Sequence, residues 1–209
     1  MNRRSRHYPP ECAILIFHKE NTIKRFYILA GANGSGKSTI ARVLLPAEGI
    51  VYVNPDDIAR DLNPGNPVAA RIEAGREALR RIDALIGKGE SFAIESTLSG
   101  STYVKVIEWA RSLAYTVVIA YIFVDSPEVC IARIAARVRN GGHYIPDDDV
   151  RRRYVRSKGN FVKRYAPVAD SWSLFYNGES QIVYVARGGK DSSTAVFSKS
   201  LYGKFLEGL

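Results

Sequence analysis

The chain has 209 residues, of which 46% are hydrophobic, and a formal net charge of +9 at pH 7. This length fits one α/β domain that buries its own core, so neither disulfides nor a structural metal is needed, and the two cysteines form no spaced framework. No apolar run is long enough to cross a membrane, and the run at residues 12–17 is too short for the core of a signal peptide.

Residues 1–22 precede the first strand that the sequence clearly predicts. They include Arg3, Arg4 and Arg6, and the pair Pro9–Pro10 argues against regular structure. We therefore expect a polar extension that can be disordered, followed by a single domain over residues 23–209.

A buried strand at residues 26–30 leads into a glycine-rich loop and then into a helix at residues 38–45, which Pro46 is expected to end. The loop, "GANGSGKST", matches the pattern G-x-x-x-x-G-K-[ST] of a phosphate-binding P-loop. Its glycines allow backbone N–H groups to turn inward around a phosphate at a helix N-terminus. The predicted nucleotide-binding residues are Gly31, Ala32, Asn33, Gly34, Ser35, Gly36, Lys37, Ser38 and Thr39.

Two side chains of this loop have defined roles in the motif. Lys37 is expected to reach the β- and γ-phosphates, and the Ser38 hydroxyl is expected to ligate Mg²⁺. A nucleotide loop in a chain without a disulfide pattern indicates a reducing compartment, so we expect a cytoplasmic protein.

Strands and helices then alternate along the rest of the chain. Strands are predicted at 50–54, 91–95, 116–124, 173–177 and 181–186, and helices at 55–62, 68–87, 103–113, 127–140, 147–164 and 197–205. In the helix that begins near Val68, the predicted buried face consists of Val68, Ile72, Gly75, Leu79, Ile82 and Ile86. This alternation predicts an α/β fold of the P-loop NTPase type, with a doubly wound, mainly parallel sheet flanked by helices.

Ligands of such a sheet collect at the carboxyl ends of its strands, where this sequence has several carboxylates. Asp56 and Asp57 follow the second strand, and two interpretations remain open: they stabilise the start of a helix, or one of them accepts a proton from an attacking hydroxyl. Glu95 precedes the hydroxyl-rich segment "STLSG" and is expected to contact Mg²⁺ or an acceptor hydroxyl. Asp125 precedes a predicted helix start and is interpreted as structural.

The positive charge is concentrated in residues 133–164, which hold ten basic and three acidic residues. Two helices flank a glycine-containing loop there. Arg133 and Arg137 share one face of the first helix, and Arg152 and Arg156 share one face of the second. We interpret this segment as a helical basic lid that closes over a nucleotide and supplies arginines to the transferred phosphoryl group. A surface that binds a nucleic-acid backbone is the alternative.

Five segments in this order resemble the zeta-toxin-like P-loop kinases over roughly residues 25–187: "YILAGANGSGKST", "VNPDDIAR", "FAIESTLSG", "IFVDSPEVCIARIAARVRNGGHYIPDDDVRRRY" and "LFYN". The resemblance implies a kinase that uses ATP or GTP with Mg²⁺. Characterised toxins of that family phosphorylate a sugar hydroxyl of UDP-N-acetylglucosamine.

The same resemblance assigns roles to individual residues. It implies that Asp56, rather than Asp57, is the base, and that Glu95 contacts the substrate. The residues themselves add the hydroxyls of Ser96, Thr97 and Ser99 next to Glu95, a polar set that suits an acceptor with several hydroxyls. The resemblance also implies catalytic lid arginines within residues 133–156, for which Arg137 and Arg152 are our candidates alongside Lys37. Members of the family can have an antitoxin protein as a partner, but no residue of this chain indicates one. We expect neither a membrane nor a nucleic acid as a partner. A nucleic-acid-associated NTPase or a polynucleotide kinase remains the alternative function.

Overall fold

The structure is a computed structural model that describes residues 23–142, 144–179 and 181–209. The predicted extension at residues 1–22 lies outside these ranges. Seven strands form one sheet: β1 (Arg25–Ala30), β2 (Val51–Val53), β3 (Phe92–Ser96), β4 (Thr116–Phe123), β5 (Ser171–Asn177), β6 (Ile182–Gly189) and β7 (Ser192–Val196). The helices are α1 (Lys37–Glu48), α2 (Pro55–Leu62), α3 (Arg71–Lys88), α4 (Thr102–Ser112), α5 (Pro127–Arg139), α6 (Asp147–Asn160) and α7 (Lys199–Leu206), with a π-helical turn at Phe161–Tyr165.

The strand order is β2-β3-β1-β4-β5-β6-β7, in which the first five strands are parallel and β6 and β7 are antiparallel. The predicted doubly wound, mainly parallel P-loop fold is confirmed. β1 lies in the centre, and its side chains alternate between two cores: Phe26 and Ile28 face one, and Tyr27 and Leu29 face the other. Because helices cover both faces, the central strands are apolar on both sides.

Three local expectations were wrong. Helix α1 does not end at Pro46 but extends to Glu48. The buried face of α3 consists of Ala74, Ala78, Ile82, Leu85 and Ile86, whereas Val68 and Ile72 are exposed. Small alanines allow this helix to lie close to the sheet, and a pattern search for large apolar residues overlooks them. Strand β7 was not predicted, because its sequence "SSTAV" is mostly polar and exposed.

The parallel arrangement gathers the ends of the strands that carry the candidate residues. Ala30, which ends β1, pairs with Ser96 in β3 and with Tyr121 in β4. The P-loop, Glu95 and the residues that follow β2 therefore lie along the same edge of the sheet. No helix among the described residues combines the length and apolar character needed to cross a bilayer.

Strand β5 is attached to this central sheet by Asp170, the residue before it. The Asp170 carboxylate accepts a hydrogen bond from the Val117 backbone N–H at 2.8 Å, while its own N–H donates to the Val117 carbonyl at 3.0 Å. Lys190 Nζ lies 3.0 Å from the same carboxylate. Asp170 thus fixes the start of β5 against β4.

Replacing Asp170 with alanine is expected to lower the free energy of unfolding by about 1–3 kcal/mol, because a partly buried N–H and a lysine lose their acceptor. Denaturant titration measures this change. Asp191→Ala is the matched control, since Asp191 is 85% exposed and contacts the same lysine at 3.6 Å. Equal losses in the two variants would show that the Val117 contact contributes nothing.

Candidate active site

The loop between β1 and α1 has a backbone that only glycine can form at three positions. Gly31, Gly34 and Gly36 have φ angles of 138°, 81° and 102°. A Cβ atom on Gly31 would lie 2.1 Å from the Ile122 carbonyl oxygen, so even a methyl group is excluded there. The predicted P-loop therefore has the conformation that its sequence pattern requires.

Polar groups inside this loop suit a phosphate. The Ser35 hydroxyl is buried and has no hydrogen-bond partner in the described part of the chain. Lys37 is only 4% exposed, and its Nζ donates to the Ala32 carbonyl at 3.0 Å. Lys37 lines the cavity in front of the loop, so an anion that enters this cavity meets a buried positive charge.

A cavity of about 510 Å³, called the loop cavity, opens in front of the P-loop. Of the predicted nucleotide-binding residues, Asn33, Gly34, Gly36, Lys37, Ser38 and Thr39 line it. Gly31, Ala32 and Ser35 are buried and support the loop from behind. Arg133 and the candidate arginine Arg137, both in α5, also line the loop cavity.

Asn177, at the end of β5, was missed by the sequence analysis. Its side-chain amide donates to the Ser35 carbonyl at 2.7 Å, and its own carbonyl accepts from Arg133 at 3.0 Å. Asn177 thus links the P-loop to α5 across the end of the sheet. The available signal was its position, since it is a polar residue directly after the strand residues "LFY".

Glu95 lies at the base of the loop cavity and is held by three groups. Tyr52 donates to one carboxylate oxygen at 2.6 Å, and Ser38 donates to the other at 3.1 Å. The Lys37 ammonium lies 3.7 Å from the oxygen that Ser38 contacts. Burial, together with the adjacent Glu95 charge, raises the pKa of Tyr52 well above its usual range, so Tyr52 remains a donor.

This arrangement bears on the two interpretations of Glu95. A hydroxyl and a carboxylate in contact are oxygen groups of the kind that Mg²⁺ prefers, and they lie beside the phosphate loop. Among the described residues, no group of three or more His, Cys, Asp or Glu could hold a metal ion. A magnesium ion at Ser38 and Glu95 would therefore depend on phosphate oxygens and water for its remaining ligands.

Asp56 and Asp57 lie in the first turn of α2 but have different surroundings. The Asn54 side chain caps this helix by accepting from the Asp56 N–H at 2.9 Å. Asp57 forms an ion pair with Arg60 one turn later and is 43% exposed. Asp56 lines the loop cavity and also a second cavity, so it is the carboxylate of the pair with access to both.

This second cavity, called the side cavity, has a volume of about 260 Å³. It shares Asn33, Lys37, Asn54, Asp56 and Glu95 with the loop cavity, and its remaining lining residues are Pro55, Arg71, Ser96, Thr97, Tyr103 and Arg153. The predicted substrate residues Glu95, Ser96 and Thr97 therefore lie together in one wall. The Thr97 hydroxyl is 2.9 Å from the Ser99 hydroxyl, and the Ser96 hydroxyl accepts from the Leu98 N–H at 3.0 Å.

The other candidate arginine, Arg152, has a different position. It is 59% exposed and donates to Asp149 at 2.7 Å. The next residue, Arg153, faces inward instead and contacts the Asn33 side chain of the P-loop at 3.3 Å. Asp125 accepts from Tyr176 at 2.6 Å and pairs with Lys204, and these two bonds hold its pKa below the usual range. Those contacts attach the end of β4 to β5 and α7.

Replacing Asn177 with alanine is expected to weaken binding of an ATP analogue by roughly tenfold. The loop loses the donor that fixes the Ser35 carbonyl, so part of the binding free energy is used to order the loop. Isothermal titration calorimetry measures the dissociation constant. The control is Asn140→Ala, since Asn140 is exposed and its side-chain amide donates to the Ala136 carbonyl of its own helix. An unchanged dissociation constant for Asn177→Ala would contradict this role.

Comparison with known proteins agrees with this description. The AAA_33 family model, described as an AAA domain, matches residues 27–157. An uncharacterized protein of Haemophilus influenzae is 41% identical over 124 residues, which are 59% of this chain and 88% of that protein.

Solved structures show the same fold at low identity. A chain of the AvrRxo1-ORF1:AvrRxo1-ORF2 complex, solved with sulphate ions, has a TM-score of 0.72 and 22% identity over 89% of this chain. This chain spans 64% of that neighbour's length, and the same complex was also solved with ATP. The PezAT chromosomal toxin-antitoxin system of Streptococcus pneumoniae gives a TM-score of 0.60, with 19% identity over 79% of this chain and 72% of the other.

Proposed function

Since the chain belongs to the AAA_33 family of AAA domains, whose P-loop is intact here, we propose that it is a kinase that transfers the terminal phosphoryl group of ATP or GTP to a hydroxyl of a small molecule. One observation carries this proposal: the loop cavity and the side cavity share Lys37, Asp56 and Glu95. A phosphate held by the loop and a hydroxyl in the side cavity would meet at these three side chains.

The nucleotide is bound by the chain's own backbone and cations. The N–H groups of the P-loop surround the phosphates, and Lys37 supplies a buried positive charge. Arg133 and Arg137 line the other side of the loop cavity, where they can neutralise charge that develops on the transferred group. Ser38 and Glu95 would hold Mg²⁺, which when bound neutralises charge on the phosphate oxygens.

The acceptor hydroxyl needs a group that takes its proton as the new bond forms. Asp56 faces both cavities, while Asp57 is paired with Arg60, which supports Asp56 as the general base. The Asn54 cap fixes the first turn of α2 and thereby the direction of the Asp56 backbone.

The acceptor that we propose is a UDP-linked amino sugar such as UDP-N-acetylglucosamine. The hydroxyls of Ser96 and Thr97, next to Glu95, can hydrogen-bond several hydroxyls of one ligand, which fits a sugar better than an apolar acceptor. The resemblance to the zeta-toxin-like kinases narrows the sugar to this class. One fold neighbour belongs to a toxin-antitoxin system, so an antitoxin partner is part of the same family-based proposal.

Replacing Asp56 with asparagine is expected to lower phosphoryl transfer by about a hundredfold or more and to leave the affinity for ATP nearly unchanged, because the base acts on the acceptor. Steady-state transfer kinetics and calorimetry with an ATP analogue measure the two quantities. Asp57→Asn is the matched control and should be mild, and Lys37→Ala should abolish turnover. A severe loss in Asp57→Asn with a mild effect in Asp56→Asn would assign the base to Asp57.

Mass spectrometry identifies the acceptor when the protein is incubated with ATP and Mg²⁺ against nucleotide sugars, free nucleosides and 5′-hydroxyl oligonucleotides. We expect a phosphate-sized mass gain on a nucleotide sugar, suppressed in Glu95→Gln, because that change removes the charge but keeps the shape. A mass gain on oligonucleotides alone would favour a polynucleotide kinase. ATP hydrolysis with no modified acceptor would favour a nucleotide-dependent switch.

The contacts of the basic segment argue against a nucleic-acid surface. Arg151 contacts Glu128 and Asp148, Arg152 contacts Asp149, and the Lys158 ammonium donates to the Glu207 carbonyl at 3.0 Å. Arg151 and Arg152 are exposed, but each is paired with a carboxylate of the same domain, so the segment presents less uncompensated positive charge than its sequence suggests.

A further inference from the structure

The segment 96–100, which follows the last buried residues of β3, forms one wall of the side cavity and has an uncommon backbone. Ser96 and Thr97 line the cavity, and the next residue, Leu98, has a φ angle of 52°. This left-handed conformation is unfavourable for a residue with a Cβ atom, which crowds the backbone. Leu98 is only 1% exposed, so its side chain is fixed in the core. The surrounding structure must therefore hold the segment in this shape.

Hydrogen bonds within the segment account for part of the shape. The Ser96 hydroxyl accepts from the Leu98 N–H at 3.0 Å, and the Thr97 hydroxyl accepts from the Ser99 N–H at 3.4 Å. The carbonyls of Leu98 and Gly100 are instead bound by side chains from another part of the fold.

Asn160 and Tyr165 supply these two bonds. The side-chain amide of Asn160, at the end of α6, donates to the Leu98 carbonyl at 2.8 Å, and the Tyr165 hydroxyl donates to the Gly100 carbonyl at 2.7 Å. Burial raises the pKa of Tyr165 to about 12, so its hydroxyl keeps its proton near neutral pH. The segment is thus attached at two points to the end of α6 and the turn that follows it.

A π-helical turn helps both side chains to reach the same segment. The Ala166 N–H donates to the Phe161 carbonyl, five residues earlier, at 2.8 Å and closes the turn at Phe161–Tyr165. In a regular α-helix, two residues that are five apart point about 140° away from each other. The π-turn contains more residues, so Asn160 and Tyr165 point more nearly in one direction, and such turns are frequent at functional sites.

Helix α6 also contributes to the side cavity directly. Arg153 lines this cavity, and Asn160 supports its wall from behind. The two residues are seven apart, which is about two helical turns, so they lie on nearly the same face of α6. One face of one helix therefore contributes to the cavity and to the shape of its wall.

We propose that Asn160 and Tyr165 are positioning residues for the acceptor: they hold the segment 96–100 in the shape that places Ser96 and Thr97 in the wall of the side cavity. This inference rests on the proposed kinase function, in which the acceptor occupies that cavity. Neither Asn160 nor Tyr165 lines the loop cavity or the side cavity, so both act on the acceptor through the segment rather than by contact.

The test removes each bond with a variant that keeps most of the packing. Tyr165→Phe loses only the hydroxyl, and Asn160→Ala loses the side-chain amide. Tyr121→Phe is the control for Tyr165, because the buried Tyr121 hydroxyl lies 2.7 Å from the Ser157 hydroxyl of α6 and is not bonded to the segment. Asn140→Ala is the control for Asn160, since the Asn140 amide donates to a carbonyl of its own helix at 2.9 Å.

Two measurements are made on the full chain. Hydrogen exchange followed by mass spectrometry measures the protection of backbone amides in the segment 96–100 without any ligand. Steady-state kinetics with ATP and Mg²⁺, and with UDP-N-acetylglucosamine as the acceptor probe, measures kcat and the KM for each substrate.

We expect Tyr165→Phe and Asn160→Ala to exchange faster in the segment and to raise the KM for the acceptor by about three- to tenfold, the size of one lost hydrogen bond. The KM for ATP should stay unchanged, because neither bond involves the P-loop, and both controls should match the parent chain. Unchanged exchange in the segment would overturn the inference. An equal rise in the KM for ATP, or the same effect in Tyr121→Phe, would also overturn it, because either result would indicate a general loss of stability.

The exchange measurement separates this inference from the kinase proposal. If the parent chain phosphorylates no probe but the two variants exchange faster in the segment, the kinase proposal fails for these acceptors and the support of the wall by Asn160 and Tyr165 stands. If the parent and the variants phosphorylate the probe with the same KM for the acceptor, the kinase proposal stands and the positioning role fails.

Discussion

The burial of the Lys37 ammonium is the constraint on which the rest of the site depends. A buried charge is unfavourable unless it is paired and hydrogen-bonded, and Lys37 finds the Ala32 carbonyl and the Glu95 carboxylate. Glu95 in turn needs donors, which Tyr52 and Ser38 supply. The Asn54 amide lies 3.5 Å from the Tyr52 hydroxyl, and its oxygen caps the helix that carries Asp56. One buried cation thus connects the P-loop to the proposed base through a continuous set of polar contacts.

The loop that carries this lysine is rigid for steric reasons as well as polar ones. Gly31 packs against the Ile122 carbonyl of β4, and Gly36 lies so close to the Asn177 amide that a Cβ would be 2.2 Å from it. The loop is therefore clamped between β4 and the end of β5. Asp170 fixes the start of that strand, and Asn177 at its other end bonds directly to the loop.

The basic segment shows how charges of one sign can serve different purposes. Arg133 supports the backbone beyond β5 and lines the loop cavity, and Arg153 faces the side cavity. Arg151 and Arg152 remain at the surface in ion pairs within the domain. Exposed pairs of this kind add little stability, so the inward-facing arginines are the ones that shape the site.

The sequence by itself determined the phosphate loop, the alternation of strands and helices, and the edge of the sheet where Asp56 and Glu95 lie. Those features depend on local spacing: glycines at fixed intervals, apolar periodicity, and polar residues directly after strands. The sequence could not tell that Arg153 rather than Arg152 faces a cavity. Adjacent residues of a helix point in different directions, and only the packing of the helix against its neighbours decides which direction faces inward. Nor could it bring Arg71 to Arg153 or Asn177 to Ser35, since these contacts join distant segments. The tertiary structure decided them, because only the packed sheet and helices set which distant side chains share one space.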